Sequence, residues 1–322
     1  MTSAADVPAV AIRRDTPWSL AVAAVVLVIF LVAAPFALYP VFLMKALCFA
    51  LFACAFNLLI GYVGLLSFGH ALYFGWASYV AAYAAKSWGL QPELAILVGT
   101  ATAAALGIVA GVIAIRRQGI YFAMITLALA QMMYLVALRV KFTGGEDGIQ
   151  AVPRGRLFGV FDLGAEMNMY VFVLVVTLGA MFLIYRIIDS PFGEVLRAIR
   201  ENEQRTISLG YNTDRYKLVA FVLSATLAGL AGATKALVFQ LASLTDVHWT
   251  MSGEVVLMTL VGGLGTVFGP IVGAFLIVAM ENYLAPFGQW VLVIQGVIFV
   301  VCVLMFRRGI IGELANVLRV KL

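Results

Sequence analysis

Of the 322 residues, 64% are hydrophobic and only 11% are charged, and the mean hydropathy is +1.05. Soluble domains carry about a quarter charged residues, so this composition excludes a soluble enzyme or a free-standing binding module and points to an integral membrane protein. The net charge of +5 then reports how the chain sits in a bilayer, because cytoplasmic loops collect Lys and Arg, and is no sign of affinity for nucleic acid.

Residues 1–17 read as a short tail with Arg13 and Arg14 ahead of an apolar run from Trp18 to Ala34. A basic stretch before an apolar one resembles a signal peptide, but this run is long and many spans follow it, so an uncleaved first helix is expected. Crossing a hydrocarbon core of about 30 Å takes about 20 apolar residues in a helix. The sequence predicts crossings near 18–38, 41–60, 70–86, 93–115 and 119–138, then near 168–187, 217–239, 252–266, 267–285 and 288–306. Tyr39-Pro40 and Pro286 mark tight turns, since proline does not continue a helix cleanly. The short run 252–266 either spans or is re-entrant. The expected fold is an all-α integral membrane bundle of about ten helices, with 18–306 as one transmembrane domain and 307–322 as a second tail. Cys48, Cys54 and Cys302 lie in apolar runs without ligand-like spacing and read as small buried hydrophobes.

With the N-terminus inside, ten crossings return the C-terminus to the same side. That side collects Arg13, Arg14, Arg116, Arg117, Arg186, Arg197, Arg200, Arg205, Arg215, Lys217, Arg307, Arg308, Arg319 and Lys321. The other side holds Lys45, Lys86, Arg139, Lys141, Arg154, Arg156 and Lys235. An excess of fourteen over seven supports both termini being cytoplasmic.

Two glycine-rich breaks interrupt the apolar pattern, one from Gly61 to His70 through Gly64, Ser67 and Gly69, the other from Gly262 to Pro270 through Gly263 and Gly265. Broken backbone at membrane depth has to line a cavity or be buried in protein, which makes paired breaks a pointer to a substrate path. Close packing of helices through small residues is the other reading. Asn57, Ser67, Thr126 and Gln131 are the polar groups available within apolar segments. They are either path-lining ligands or helix-packing hydrogen bonds. His70 either works in the path or caps the chain at the break. Lys45, Lys235, Glu254 and Glu281, near predicted span ends, are expected to snorkel or to pair with a neighbour.

The region 189–216 is a charged island in this apolar chain. Asp189 or Ser190 can cap a helix that has Pro191 in its first position. Phe192, Val195, Leu196 and Ile199 then fall on one face, and Glu194, Arg197, Arg200 and Glu201 on the other, with Arg197 and Glu201 spaced for an i,i+4 pair. Gly210 is placed to end a second helical turn, and Thr213 or Asp214 to cap the next span. Acids and bases are mixed on the polar face, which suits a protein partner better than lipid headgroups, where a one-signed basic face is usual.

The run Gly193, Arg197, Ala198, Arg200, Glu201, Asn202, Gly210, Phe221, Ser224, Ala228, Gly229 and Gly232 resembles the cytoplasmic coupling loop of ABC importer permeases, and the branched-chain amino acid permease family in particular. Asn57 to Ala71, Gly119 to Ala123 with Thr126 and Gln131, Thr143 to Gly148, and Gly262 to Ala274 are similar to the same family. The resemblance implies a permease subunit in the bacterial inner membrane that is not itself an enzyme and binds no cofactor. It implies two cytoplasmic ATP-binding subunits receiving the loop helix, a second related permease subunit, and an external substrate-binding protein. Coupling would fall to Gly193, Glu194, Arg197, Arg200, Glu201, Asn202 and Gly210. The substrate path would involve Asn57, Gly61, Gly64, Ser67, Gly69, His70, Thr126, Gln131, Gly262, Gly263 and Gly265. The implied cargo is a branched-chain or related amino acid, with amides or urea as alternatives. The chain has no G-x-x-x-x-G-K-[ST] phosphate loop, in keeping with a separate ATPase. An autonomous secondary transporter is the competing class, and it leaves the charged loop without a role.

Overall fold

A computed structural model describes residues 18–36, 38–159, 161–288, 290–305 and 309–318. The first tail, and with it Arg13 and Arg14, lies outside the described residues, as do Arg307, Arg308, Arg319 and Lys321.

The helices follow the apolar runs closely. They are α1 (Trp18–Ala33), α2 (Pro40–Tyr62), α3 (His70–Lys86), α4 (Pro92–Ala114), α5 (Ile120–Arg139), α6 (Glu166–Ile188), α7 (Pro191–Glu201), α8 (Glu203–Ser208), α9 (Thr213–Phe239), α10 (Trp249–Gly262), α11 (Gly269–Leu284), α12 (Trp290–Met305) and α13 (Gly309–Leu318). Proline opens α2, α4 and α7, where its missing N–H costs no hydrogen bond. Two starts differ from expectation. Helix α9 begins at Thr213 rather than 217 because Asn212 Oδ1 accepts from Arg215 N at 3.3 Å, making Asn212 the cap instead of Thr213 or Asp214. Helix α10 begins at Trp249 and stops at Gly262, so the residues expected to end that span form the second break instead.

Among the described residues, α2, α4, α5, α6 and α9 are long and apolar enough to cross a membrane. Helix α2 is the hub: it is buried along nearly all its length and is packed by α6, α9, α10 and α11. Helices α3, α4 and α9 form the neighbouring layer. Their contacts run through small residues: Gly229 faces Ala77 and Ala103, Gly232 lies against the backbone carbonyl of Phe74, and Gly99 against that of Ala77. In lipid, apolar surface alone does not drive helices together, and such close backbone approach supplies the packing. Val25 and Ile29 of α1, Leu97 and Val109 of α4, Val175 and Phe182 of α6, and Val297 of α12 remain exposed, as expected of surfaces that face acyl chains. At 14 residues, α10 rises only about 21 Å, short of the hydrocarbon thickness.

The two ends of the bundle differ. One carries α7, α8, the turn 115–119 and both glycine breaks. The other is capped by the segments 140–165 and 240–248. There β1 (Ile149–Gln150) pairs antiparallel with β4 (Leu241–Ala242), and β2 (Arg156–Leu157) with β3 (Phe161–Asp162). Lys86 Nζ donates to Gln150 O at 2.7 Å, and Arg154 donates to Val238 O at 2.8 Å, fastening this cap to α3 and α9.

Candidate coupling site

Helix α7 starts on Ser190, whose Oγ accepts from Gly193 N at 3.4 Å and donates to Ile187 O at 2.6 Å. Of the two expected caps, Ser190 is the one used. Gly193 is buried against the carbonyls of Ile187 and Ile188, so the first turn of α7 rests directly on the end of α6. Leu196 and Ile199 are buried, and Phe192 stacks on Tyr216 of α9 with ring centroids 5.6 Å apart. The expected apolar face therefore holds α7 to α6 and α9.

The polar face behaves differently from the sequence reading. Glu194 pairs with Arg197 at 2.9 Å (i,i+3), in place of the expected Arg197–Glu201 pair. Both spacings are open to a helix, and Glu201 is left exposed. Arg197 also lies over the Tyr62 ring, 5.7 Å from its centroid. Asn202 ends α7 and caps α8, its Oδ1 accepting from Arg205 N at 3.0 Å. Gly210 ends α8 with a positive φ of 91°, the conformation glycine tolerates without cost. Lys217 is buried rather than part of the solvated island. Its Nζ donates to Glu203 Oε1, which also accepts from Thr213 Oγ1 at 3.0 Å, while Glu203 Oε2 accepts from Gln118 at 2.9 Å. One carboxylate thus joins α8, α9 and the α4–α5 turn.

Arg200 stays exposed as a residue but reaches back to α2 with its guanidinium. Its guanidinium donates to the carbonyl of Gly61, at the last turn of α2. Its side chain lies against Gly64, and its terminal nitrogen lies close to Gly265. At the same place the two breaks meet. Asn57 Nδ2 donates to Thr266 O at 2.8 Å, and Asn57 Oδ1 accepts from Gly265 N at 3.0 Å. A Cβ on Gly61 would stand 2.8 Å from Gly265 N, so the approach requires glycine. A third element closes the junction: Gly309 of α13 sits on Gly263, backbone against backbone.

Of the other expected path residues, Ser67, Gly69, His70 and Thr126 form a second cluster. Ser67 is buried and its Oγ accepts from Gly69 N at 3.2 Å. Thr126 Oγ1 accepts from Phe68 N at 3.2 Å, and Gly69 lies against the Thr126 backbone, tying the first break to α5. His70 is fully buried among Phe56, Tyr73 and Phe221. Its Nε2 lies 2.8 Å from Ser224 Oγ, and Ser224 donates its one hydroxyl proton to Ala55 O at 2.6 Å. His70 therefore ties α3 to α9 and α2. Gln131 is half-buried on α5, outside both clusters. Gly262 and Gly269 pack against one another to close the second break.

Sequence reasoning missed an apolar patch beside these groups: Ile207, Leu209 and Tyr211 are 48%, 68% and 44% exposed. The signal was present as apolar residues inside a charged island.

A family model described as the permease component of the branched-chain amino acid transport system matches residues 38–304. The chain belongs to that family. Permease components are transport proteins rather than enzymes, and with its span-length apolar helices this one is a multi-pass membrane protein. It is 26% identical over 288 residues to the high-affinity branched-chain amino acid transport system permease protein LivM of Escherichia coli (strain K12), covering 82% of this chain and 68% of the relative. It is also 26% identical over 245 residues to the ribose import permease protein RbsC of the same organism, covering 70% and 73%. The probable branched-chain amino acid transport permease protein LivH of Methanocaldococcus jannaschii is 28% identical over 170 residues, 48% of this permease and 51% of that protein. No solved structure matches.

Proposed function

We propose that this chain is one of two permease subunits of a binding-protein-dependent ABC importer in the bacterial inner membrane, carrying branched-chain or related amino acids. Separate cytoplasmic subunits hydrolyse the ATP, and a substrate-binding protein delivers cargo to the end capped by 140–165. In this reading α1 to α6 and α9 to α12 cross the bilayer ten times, and both termini and the α7–α8 loop face the cytoplasm.

The observation that carries the reading is the position of Arg200. A loop helix offered to an ATPase acts on transport only if its movement reaches the spans. Arg200 holds α2 at Gly61 beside the seam where Asn57 joins the breaks. An ATPase groove would take the outer side of α7 and α8, through Glu194, Arg197 and Glu201 and the apolar Ile207, Leu209 and Tyr211. Closure of the ATPase pair would pull α7, and with it the ends of α2 and α10, exchanging outward and inward openings. The breaks serve in this mechanism as the seam that opens, and the polar groups near them set how it reseals.

The test is reconstitution of the chain with its partner permease, ATPases and binding protein in proteoliposomes. ATP-dependent accumulation of leucine supports the reading. Accumulation without ATPases, driven by an ion gradient, overturns it. The ribose-import relative supports a second solute class, so ribose uptake is measured beside leucine.

A further inference from the structure

Five ionisable side chains form a layer just inside the end opposite α7, and neither the loop helix nor the breaks use them. Lys45 lies five residues into α2, Glu254 five residues into α10, Lys235 four residues before the end of α9, Glu281 three before the end of α11, and Asp246 in the turn ahead of α10. At 1.5 Å per residue the four helical members sit about 5–8 Å inside the helix ends. They come from sequence positions 45 to 281, and folding brings them to one depth.

Four of the five are paired. Lys235 Nζ is 2.6 Å from both carboxylate oxygens of Asp246, and that pair is buried. Lys45 Nζ is 2.9 Å from Glu281 Oε2, with the side chains 32% and 23% exposed. Glu254 is the odd charge. Its helix α10 packs against α2 and α11, which carry Lys45 and Glu281, yet among the described residues Glu254 has no ion pair or hydrogen bond through its side chain. It is half-buried and reachable. A carboxylate held at this depth without a partner is costly, and such groups mark ligand paths. Lys45 is also open to a ligand: an ammonium carries three N–H donors and its contact with Glu281 uses one.

We propose that Glu254 and Lys45 form a binding site for a zwitterionic α-amino acid at the end of the permease remote from α7. Glu254 accepts from the ammonium of the ligand and Lys45 donates to its carboxylate. The closed Lys235–Asp246 pair holds the frame and takes no ligand. A neutral sugar has no charge for either group to meet, so the layer selects amino acids over ribose. This inference rests on the importer reading above.

The experiment uses the complete importer in detergent and in proteoliposomes, with radiolabelled leucine as probe. Equilibrium binding to the nucleotide-free complex without binding protein is expected to weaken tenfold or more in Glu254→Gln and to recover largely in Glu254→Asp. Lys45→Gln should weaken binding as well, and leucine uptake should fall in parallel. Binding and uptake at the wild-type level in Glu254→Gln overturn the site while leaving the importer reading intact. A fall in thermal stability matching the fall in binding, without rescue by Glu254→Asp, overturns it too, since the residue then has a structural role. Failure of the wild-type complex to import any amino acid removes the importer reading and the site with it.

Discussion

Arg200 of the loop helix donates to the backbone carbonyl of Gly61, so α7 grips the last turn of the buried hub helix through its main chain, beside the contact of Arg197 with the Tyr62 ring. A hydrogen bond from a charged donor contributes about 1.5–3 kcal/mol. Arg200→Ala should therefore lower uptake about tenfold or more while ATP hydrolysis continues, and Arg200→Lys should restore part of it. The check is the ratio of leucine imported to ATP hydrolysed. An unchanged ratio in Arg200→Ala removes Arg200 from the transmission.

Asn57 should matter for stability as much as for transport. Replacing it with Ala leaves the half-buried Gly265 N and Thr266 O without their partner, at the lower end of the about 1–3 kcal/mol that a buried group would lose. Asn57→Ala is expected to lower the melting temperature in detergent. Asn57→Asp should do no better, because a carboxylate loses the donor that Thr266 O requires. Differential scanning fluorimetry reads both variants.

Lys235→Met should be among the most damaging single changes outside the coupling site. It strands the Asp246 carboxylate, which is 1% exposed, and breaking a buried pair from one side costs about 3–5 kcal/mol. The double variant Lys235→Met with Asp246→Leu should recover most of that stability, although Ser243 N loses the contact it makes with Asp246. Yield of folded protein and melting temperature of the two variants decide the matter.

Sidedness has a direct readout. Leu209 is exposed on the loop, and Cys48 and Cys54 are buried. In a Cys302→Ser background produced without the ATPase subunits, which would cover this surface, Leu209→Cys should react with a membrane-impermeant maleimide in inverted vesicles and stay unlabelled in intact cells. The opposite pattern would reverse the orientation proposed above.

The helices were legible because each rests on a local property, a run of apolar residues, and their observed limits fall within a few residues of the expected ones; among the described residues five of them are long enough for the bilayer. Ser190 and Gly210 were legible for the same reason, since cap and turn chemistry is local. Asn212 was not, because three polar residues in succession could each have capped α9. The reach of Arg200 back to α2 was hidden as well: a helical wheel assigns a face by angle, and a long flexible side chain can fold back across it while the residue stays exposed. The meeting of Asn57 with Gly265 and Thr266, some two hundred positions apart, leaves no trace in local pattern. The breaks were recognised as a pair, but only the folded chain shows them meeting as one seam. Lys217 was misread because its charge suggested solvent, whereas Glu203 draws it inside.

The short ladder of Ile149–Gln150 with Leu241–Ala242 joins loops from the two halves of the chain at the end farthest from α7. A strap there leaves little freedom for the halves to slide past each other. Force applied through α7 would instead tip them about this fulcrum, with the widest displacement at the glycine seam and the least beneath the strap.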